Sequence, residues 1–252
     1  MKKSASIAAK AAPLVTFLLF LLVWELGVRI YDIPDYILAS PTEVLATIAK
    51  TYPALWFHGT MTVLEASSGF ILAIALAFVM AFLLDTLPWL NRAFYPLLII
   101  SQTIPLIVLA VLFTIWFGFG LLPKILVVIL VCFFPIVISL SNGLNMVDPD
   151  QLNLFRSMGA SRLKTFTMVK LPAAMPAFFS GVRISATYSI MAAVIGEWLG
   201  SNQGLGYYMT LQQKQFAIDR VLAAVLVICL LSLLLVKLVD LVEYLLVPWN
   251  RR

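Results

Sequence analysis

The sequence predicts an all-α polytopic membrane protein with about six transmembrane helices, and three observations carry that prediction. Of 252 residues, 62% are hydrophobic and only 12% are charged, too little polar side chain to clothe a soluble domain of this size. The mean hydropathy is +1.02. The apolar residues also fall into separate stretches of roughly 20 residues, the length a helix needs to cross a hydrocarbon layer.

The first stretch runs from Pro13 to Ile30. Lys2, Lys3 and Lys10 precede it as they would in a secretory signal, but the apolar run continues without a small-residue cleavage site. The expectation is an uncleaved helix after a cytoplasmic tail of residues 1–12, with 13–252 forming a single transmembrane permease domain. Tyr31 to Met61, rich in Pro, Asp and Thr, reads as a loop. The second span, Thr62 to Leu84, carries Gly69, Ala73, Ala77 and Ala81, a row of small side chains that lets another helix approach closely. The third, Phe94 to Phe117, is interrupted by Ser101, Gln102 and Thr103 beside Pro105, which predicts a kink. The fourth runs from Lys124 to Leu140. After the long Ser141 to Pro176 segment, the fifth span, Ala177 to Leu199, repeats the small-residue spacing with Gly181, Ser185, Ser189 and Ala193. The sixth runs from Val221 to Val247.

Positive charge sets the orientation. With the N-terminus inside, Lys2, Lys3, Lys10, Arg92, Arg156, Arg162, Lys164, Lys170, Arg251 and Arg252 lie inside, against Arg29, Lys50, Lys124, Lys214 and Arg220 outside; ten against five places both termini in the cytoplasm. The same scatter argues against nucleic acid as a partner of this +5 chain, because no single basic face forms. Cys132 and Cys229 sit in apolar runs and offer neither a disulfide framework nor metal-ligand spacing.

The Ser141 to Pro176 segment then falls in the cytoplasm, and it holds two short helices. Asp148 can cap the first, Pro149 suits its first position and Gln151 completes a capping box, with Leu152, Phe155 and Met158 on one face. Gly159 is placed to end that helix in a left-handed conformation. Ser161 can cap a second, which carries Leu163 and Phe166 and which Pro172 is expected to stop. Such a hairpin fits either contact with a separate protein or attachment to anionic headgroups through Arg156, Arg162, Lys164 and Lys170.

The spacing from Gly159 to Val169 and on to Leu171-Pro172 resembles the EAA loop of binding-protein-dependent ABC transporter permeases. Asn153, Leu154 and Phe155 stand where the family's Glu-Ala-Ala triplet would be, so the glutamate's contacts do not carry over. The resemblance extends from about Thr60 to Trp249. Gln102 to Pro105, Trp116 to Gly120 with Lys124, Phe134-Pro135, Gly196 to Gly200 and Gly204 to Tyr208 look like the nitrate, sulfonate and taurine branch, which also includes permeases for thiamine-precursor pyrimidines. The resemblance implies the type I ABC importer permease (MetI-like) fold, in the bacterial cytoplasmic membrane, with an EAA-type coupling loop at about 142–176. It also implies a second permease copy in a homodimer, a cytoplasmic ATP-binding-cassette ATPase and an extracytoplasmic solute-binding protein, all set among membrane lipid. The solute would be a small polar one, a sulfonate, taurine or nitrate-like anion or a thiamine-precursor pyrimidine. Leu152, Phe155, Gly159, Ala160, Leu163, Phe166, Leu171 and Pro172 are the expected contacts with the ATPase. The sequence holds no Gly-Lys dipeptide and so no Walker-type phosphate loop, which assigns ATP and Mg to the partner and no cofactor to this chain.

Six residues are candidates for the solute path: Ser101, Gln102 and Thr103 at the kink, Ser185 and Ser189 on the fifth span, and Glu197 near its outer end. The hydroxyls could equally serve packing or satisfy freed carbonyls, and Glu197 could equally be held by backbone donors of the Gly200 to Gly206 turn. Glu65 and Arg183 lie where water is expected to reach them, and His58 reads as a solvated loop residue. A self-sufficient secondary transporter would show internal repeats or mid-membrane ionisable groups, and an intramembrane enzyme would show a metal or nucleophile constellation; neither pattern is in the sequence.

Overall fold

Ser40, Pro41 and Glu43 start a helix that the Tyr31 to Met61 loop reading does not contain. Ser40 N donates to Glu43 Oε2 at 2.7 Å, Glu43 N donates to Ser40 Oγ at 3.4 Å, and Pro41 occupies the first helical position. This reciprocal capping box launches a 46-residue helix through Pro53 to Thr86. The computed structural model describes the backbone of residues 2–250 and the side chains of residues 12–249. Lys2, Lys3, Lys10, Arg251 and Arg252, counted above for orientation, therefore have side chains outside the described residues.

The elements are α1 (Lys2–Ile30), α2 (Pro41–Thr86), α3 (Pro88–Ser101), α4 (Leu106–Phe117), α5 (Leu121–Asn145), α6 (Pro149–Ser157), α7 (Arg162–Thr165), a π-helical turn (Phe166–Lys170), α8 (Leu171–Trp198), α9 (Leu205–Lys214) and α10 (Ile218–Leu246). Five of these segments are long and apolar enough to cross a membrane, or six with α3 and α4 taken as one broken span. Among the described residues there is no strand, and the fold is all-α.

The expected kink in the third span is a break. α3 and α4 meet at 101°. Pro105 is extended at φ −60, ψ 124, and cannot supply the amide that a continuous helix requires. Ser101 Oγ and Thr103 Oγ1 instead donate back to the carbonyls of Leu98 and Ile100, at 2.9 and 2.7 Å.

The chain divides into two compact units. The first comprises Met1–His58 and Tyr208–Val227. Within it Glu25 accepts from Thr42 N at 3.1 Å and Thr42 Oγ1 at 2.8 Å, and Thr47 Oγ1 donates to Asp219 Oδ2 at 2.8 Å. His58 lies in α2 rather than in a loop, half-buried with its ring 5.4 Å from that of Tyr208.

The second unit comprises Gly59–Tyr207 and Ile228–Arg252, and α5 and α8 are its spine. These two helices run antiparallel, and glycine sets their approach at three levels. A Cβ on Gly143 would lie 2.8 Å from Ala177 Cβ, one on Gly181 would lie 2.7 Å from Ser139 Cβ, and one on Gly196 would lie 3.3 Å from Lys124. α2 runs parallel to α5, since Gly69 meets Val128 and Glu65 meets Lys124 at the same sequence offset of 59. The predicted small rows are both buried: Ala73, Ala77 and Ala81 are fully enclosed, as are Ser185, Ser189 and Ala193. Ser185 Oγ donates to Cys132 O at 2.8 Å and Ser189 Oγ to Ala186 O at 2.9 Å. On the open side of α8, Arg183 bridges Asp240 and Glu243 of α10 at 2.7 and 2.5 Å, the partners that the sequence did not specify.

Candidate functional site

The loop between α5 and α8 is assembled as its turn chemistry dictates. Asp148 Oδ1 accepts from Asp150 N at 2.9 Å and caps α6. Gly159 adopts φ +77; its N–H donates to Arg156 O and that of Ala160 to Phe155 O, at 2.9 and 3.0 Å, a Schellman ending in which only glycine enters the left-handed position cheaply. Ser161 Oγ accepts from Lys164 N at 3.3 Å and caps α7.

From there the chain departs from expectation. Pro172 does not stop the second helix, because the Phe166–Lys170 turn widens to an i→i+5 register, with Leu171 N donating to Phe166 O. Widening displaces the carbonyl that the proline ring would strike in an α-helix, so the rod continues into α8. Phe166 is not an outward knob either: it is 7% exposed and stands edge-on to Phe82 at 4.8 Å. Leu152, Phe155 and Ala160 are half-buried, and Leu171 and Pro172 lie at the head of α8. The apolar side chains the loop does present are Met146, Leu154, Met158, Leu163 and Met168, at 83%, 59%, 74%, 63% and 58% exposure. Lys170, one of four basic residues that could have faced lipid headgroups, pairs with Asp85 at 2.6 Å. A groove of about 620 Å³ runs between the loop and the end of α2, bordered by Asp85, Leu152, Arg156, Leu163 and Phe166.

A second polar centre joins α2, α5, α8 and the Gly200 to Gly206 turn. Lys124, counted on the outer side as the first residue of the fourth span, is only 6% exposed; its ammonium donates to Glu65 Oε1 at 2.6 Å and to Ser201 Oγ at 2.7 Å. Glu65 is fully enclosed rather than wetted; its Oε2 has no nitrogen or hydroxyl donor and lies beside the Glu197 carboxyl. Glu197, 1% exposed, accepts from Thr62 Oγ1 at 2.7 Å and from Gly206 N at 2.6 Å, while Thr62 Oγ1 accepts from Leu205 N at 2.9 Å. Gly204, at φ +106, packs so closely that a Cβ there would fall inside the Glu197 carboxylate.

Of the six residues expected along a solute path, Ser185, Ser189 and Glu197 are closed off and spend their polar atoms on protein contacts. Gln102 and Thr103 are exposed at the α3–α4 break, with Ser101 half-buried beside them. The sequence reading missed Thr62 and the Lys124–Glu65 pair. Their signal was polar residues inside apolar helices at 62, 65 and 124, which in a membrane require partners.

Residues 69–252 match the family model of the binding-protein-dependent transport system inner membrane component. The chain belongs to this family. The permease is 34% identical over 241 residues, 95% of this chain and 96% of the relative, to a formylaminopyrimidine transport permease of Halalkalibacterium halodurans. It is 33% identical to a riboflavin transport system permease of Chloroflexus aurantiacus, with 94% and 89% of the two chains covered. It is also 28% identical to a putative aliphatic sulfonates transport permease of Bacillus subtilis, with 90% and 83% covered. Among solved structures, an amino acid ABC transporter crystallised with histidines superposes with a TM-score of 0.66 at 16% identity, covering 80% of this chain and 98% of that one, a likeness of fold. The permease is thus the multi-pass membrane subunit of an ATP-driven importer in the branch that spans pyrimidine, sulfonate and taurine systems.

Proposed function

We propose that this permease passes a small, planar, nitrogen-containing heterocycle of the pyrimidine type through the cytoplasmic membrane, with both termini inside. What favours a heterocycle over a sulfonate is the ranking of the relatives, 34% and 33% identical for the pyrimidine and riboflavin systems against 28% for the sulfonate system. Residues 13–252 act as one permease domain, two copies form the pathway, and an extracytoplasmic binding protein delivers the solute. Ser101, Gln102 and Thr103 offer side chains to the solute at the α3–α4 break. Lipid covers α1 and α10, whose apolar side chains are exposed along most of their length.

The motor is a cytoplasmic ATP-binding-cassette subunit that carries ATP and Mg and docks on the α6–α7 loop. One observation carries this assignment: the loop is a rigid, doubly capped corner around Gly159 that leaves Leu154, Met158 and Leu163 uncovered. Burying one such side chain in a partner's groove is worth about 1.5 to 3 kcal/mol, so two or three anchors outweigh the salt-sensitive pull of basic residues toward lipid.

The test uses the solubilised complex. Leu154→Asp with Leu163→Asp is expected to release the ATPase at every salt concentration while the permease still elutes as a folded species. Retention at wild-type stoichiometry places the contact elsewhere. For the solute, uptake of labelled formylaminopyrimidine that excess taurine fails to inhibit is the expected result, and inhibition by taurine instead assigns the sulfonate class.

A further inference from the structure

The segment from Gly200 to Gly206, a turn together with the first two residues of α9, is tied to the rest of the second unit by polar groups. Leu205 N reaches Thr62 on α2, Gly206 N reaches Glu197 at the end of α8, and Ser201 Oγ takes the ammonium of Lys124 from α5. Ser201 in turn donates to Gln203 O and accepts from Gln203 N at 3.1 Å. Through Thr62, which donates to Glu197, these tethers converge on Glu197 and Lys124, so few side chains hold the whole turn. Packed contacts of this kind switch between discrete arrangements and do not deform gradually.

Two features leave this arrangement open to change. Glu65 Oε2 is enclosed with no nitrogen or hydroxyl donor, and the group beside it is the Glu197 carboxyl, so two buried acids share the single ammonium of Lys124 in this arrangement. Against the turn lies a pocket of about 520 Å³ lined by Met61, Phe119, Lys124, Ser201, Asn202 and Gln203, which gives the turn space to move. A buried ion pair is also a poor way to gain stability compared with apolar packing, and its best-attested use is to select between arrangements.

We propose that Thr62, Glu65, Lys124 and Glu197 form a latch that fixes the Gly200 to Gly206 turn, and that this turn is a strap that lifts during each transport cycle. The proposal rests on the permease working with a partner ATPase, as above. The four residues are positioning residues: they act on the solute through the strap.

Leu205, fully buried in the closed strap, reports its opening. In the assembled complex with Cys229→Ser, a cysteine introduced by Leu205→Cys is titrated with a membrane-impermeant maleimide; Cys132 is buried and stays silent. Labelling is expected to be slow at rest and to rise roughly ten-fold or more when ATP and vanadate trap the turnover state. Thr62→Val and Glu197→Gln are each expected to raise the resting rate without ATP, an effect that a purely structural contact would not produce in a complex of unchanged melting temperature. Met61→Cys, in the pocket wall, is the second reporter where Leu205→Cys fails to assemble. Equal labelling in resting and trapped complexes that hydrolyse ATP overturns the strap. Absence of ATP hydrolysis in the purified complex overturns the partner assignment instead, so the two failures are told apart.

Discussion

Lys124 Nζ lies 2.6 Å from Glu65 Oε1, and neither residue reaches solvent to any useful extent, although 59 residues separate them in the chain. Removing one partner leaves a charge enclosed without its counter-charge. Lys124→Met is therefore expected to destabilise the permease by about 3 to 5 kcal/mol, seen as loss of the monodisperse peak in fluorescence-detected gel filtration. Adding Glu65→Leu to that variant is expected to restore most of the peak, because the pair is then replaced rather than broken.

Gly159 offers a cleaner separation of backbone from packing. No atom lies within 4 Å of a Cβ built there, so the only cost of a side chain is the left-handed backbone, about 1 to 2 kcal/mol. Gly159→Val is expected to insert and assemble normally while ATP hydrolysis loses its dependence on solute. Solute-stimulated hydrolysis at the wild-type level would show that the corner does not matter for coupling.

Glycines 27 and 181 should respond in opposite directions to the same change. Gly27 in α1 has nothing within 4 Å of its Cβ position, and Gly27→Ala is expected to stabilise slightly, by about 0.5 to 1 kcal/mol, through lower chain entropy in the unfolded state. Gly181→Ala would set its methyl 2.7 Å from Ser139 Cβ and 2.8 Å from Pro135 O, forcing α5 and α8 apart at a cost of about 1 to 3 kcal/mol. Thermal melts of the two detergent-solubilised variants distinguish these outcomes.

Phe166→Ala is expected to cost about 3 to 5 kcal/mol in permease stability, because its ring fills the space beside Phe82. Leu163→Ala, at an exposed position, is expected to leave the melting temperature of the isolated permease within a degree or two and to weaken only the hold on the ATPase.

Local chemistry was readable from the sequence and long-range partnership was not. The corner at Gly159, the caps at Asp148 and Ser161 and the small-residue row from Gly69 to Ala81 each depend on neighbours within a few residues, and each stands in the structure as read. The Ser40–Glu43 capping box was equally local, but Pro53 and the polar content of Tyr31 to Met61 masked it. Ser185 and Ser189 show the opposite limit. Their spacing identified a buried face, yet only the register of α5 against α8 reveals that the first hydroxyl is spent on Cys132 O. Glu65, Thr62, Lys124 and Glu197 could be recognised as polar groups in need of partners, while the pairing itself is set by how three helices are shifted along one another.

The π turn joins Arg162–Trp198 into one 37-residue rod, about 55 Å long, with the loop corner at one end and Glu197 one residue from the other. A rod of that length is a lever arm: a tilt of about 5° imposed at Arg162 sweeps the far end through about 5 Å, more than the length of the hydrogen bonds that Glu197 holds. Force applied to the corner by a neighbouring subunit would thus arrive at the strap as torque, with the widened turn acting as the elbow where the handle joins the shaft.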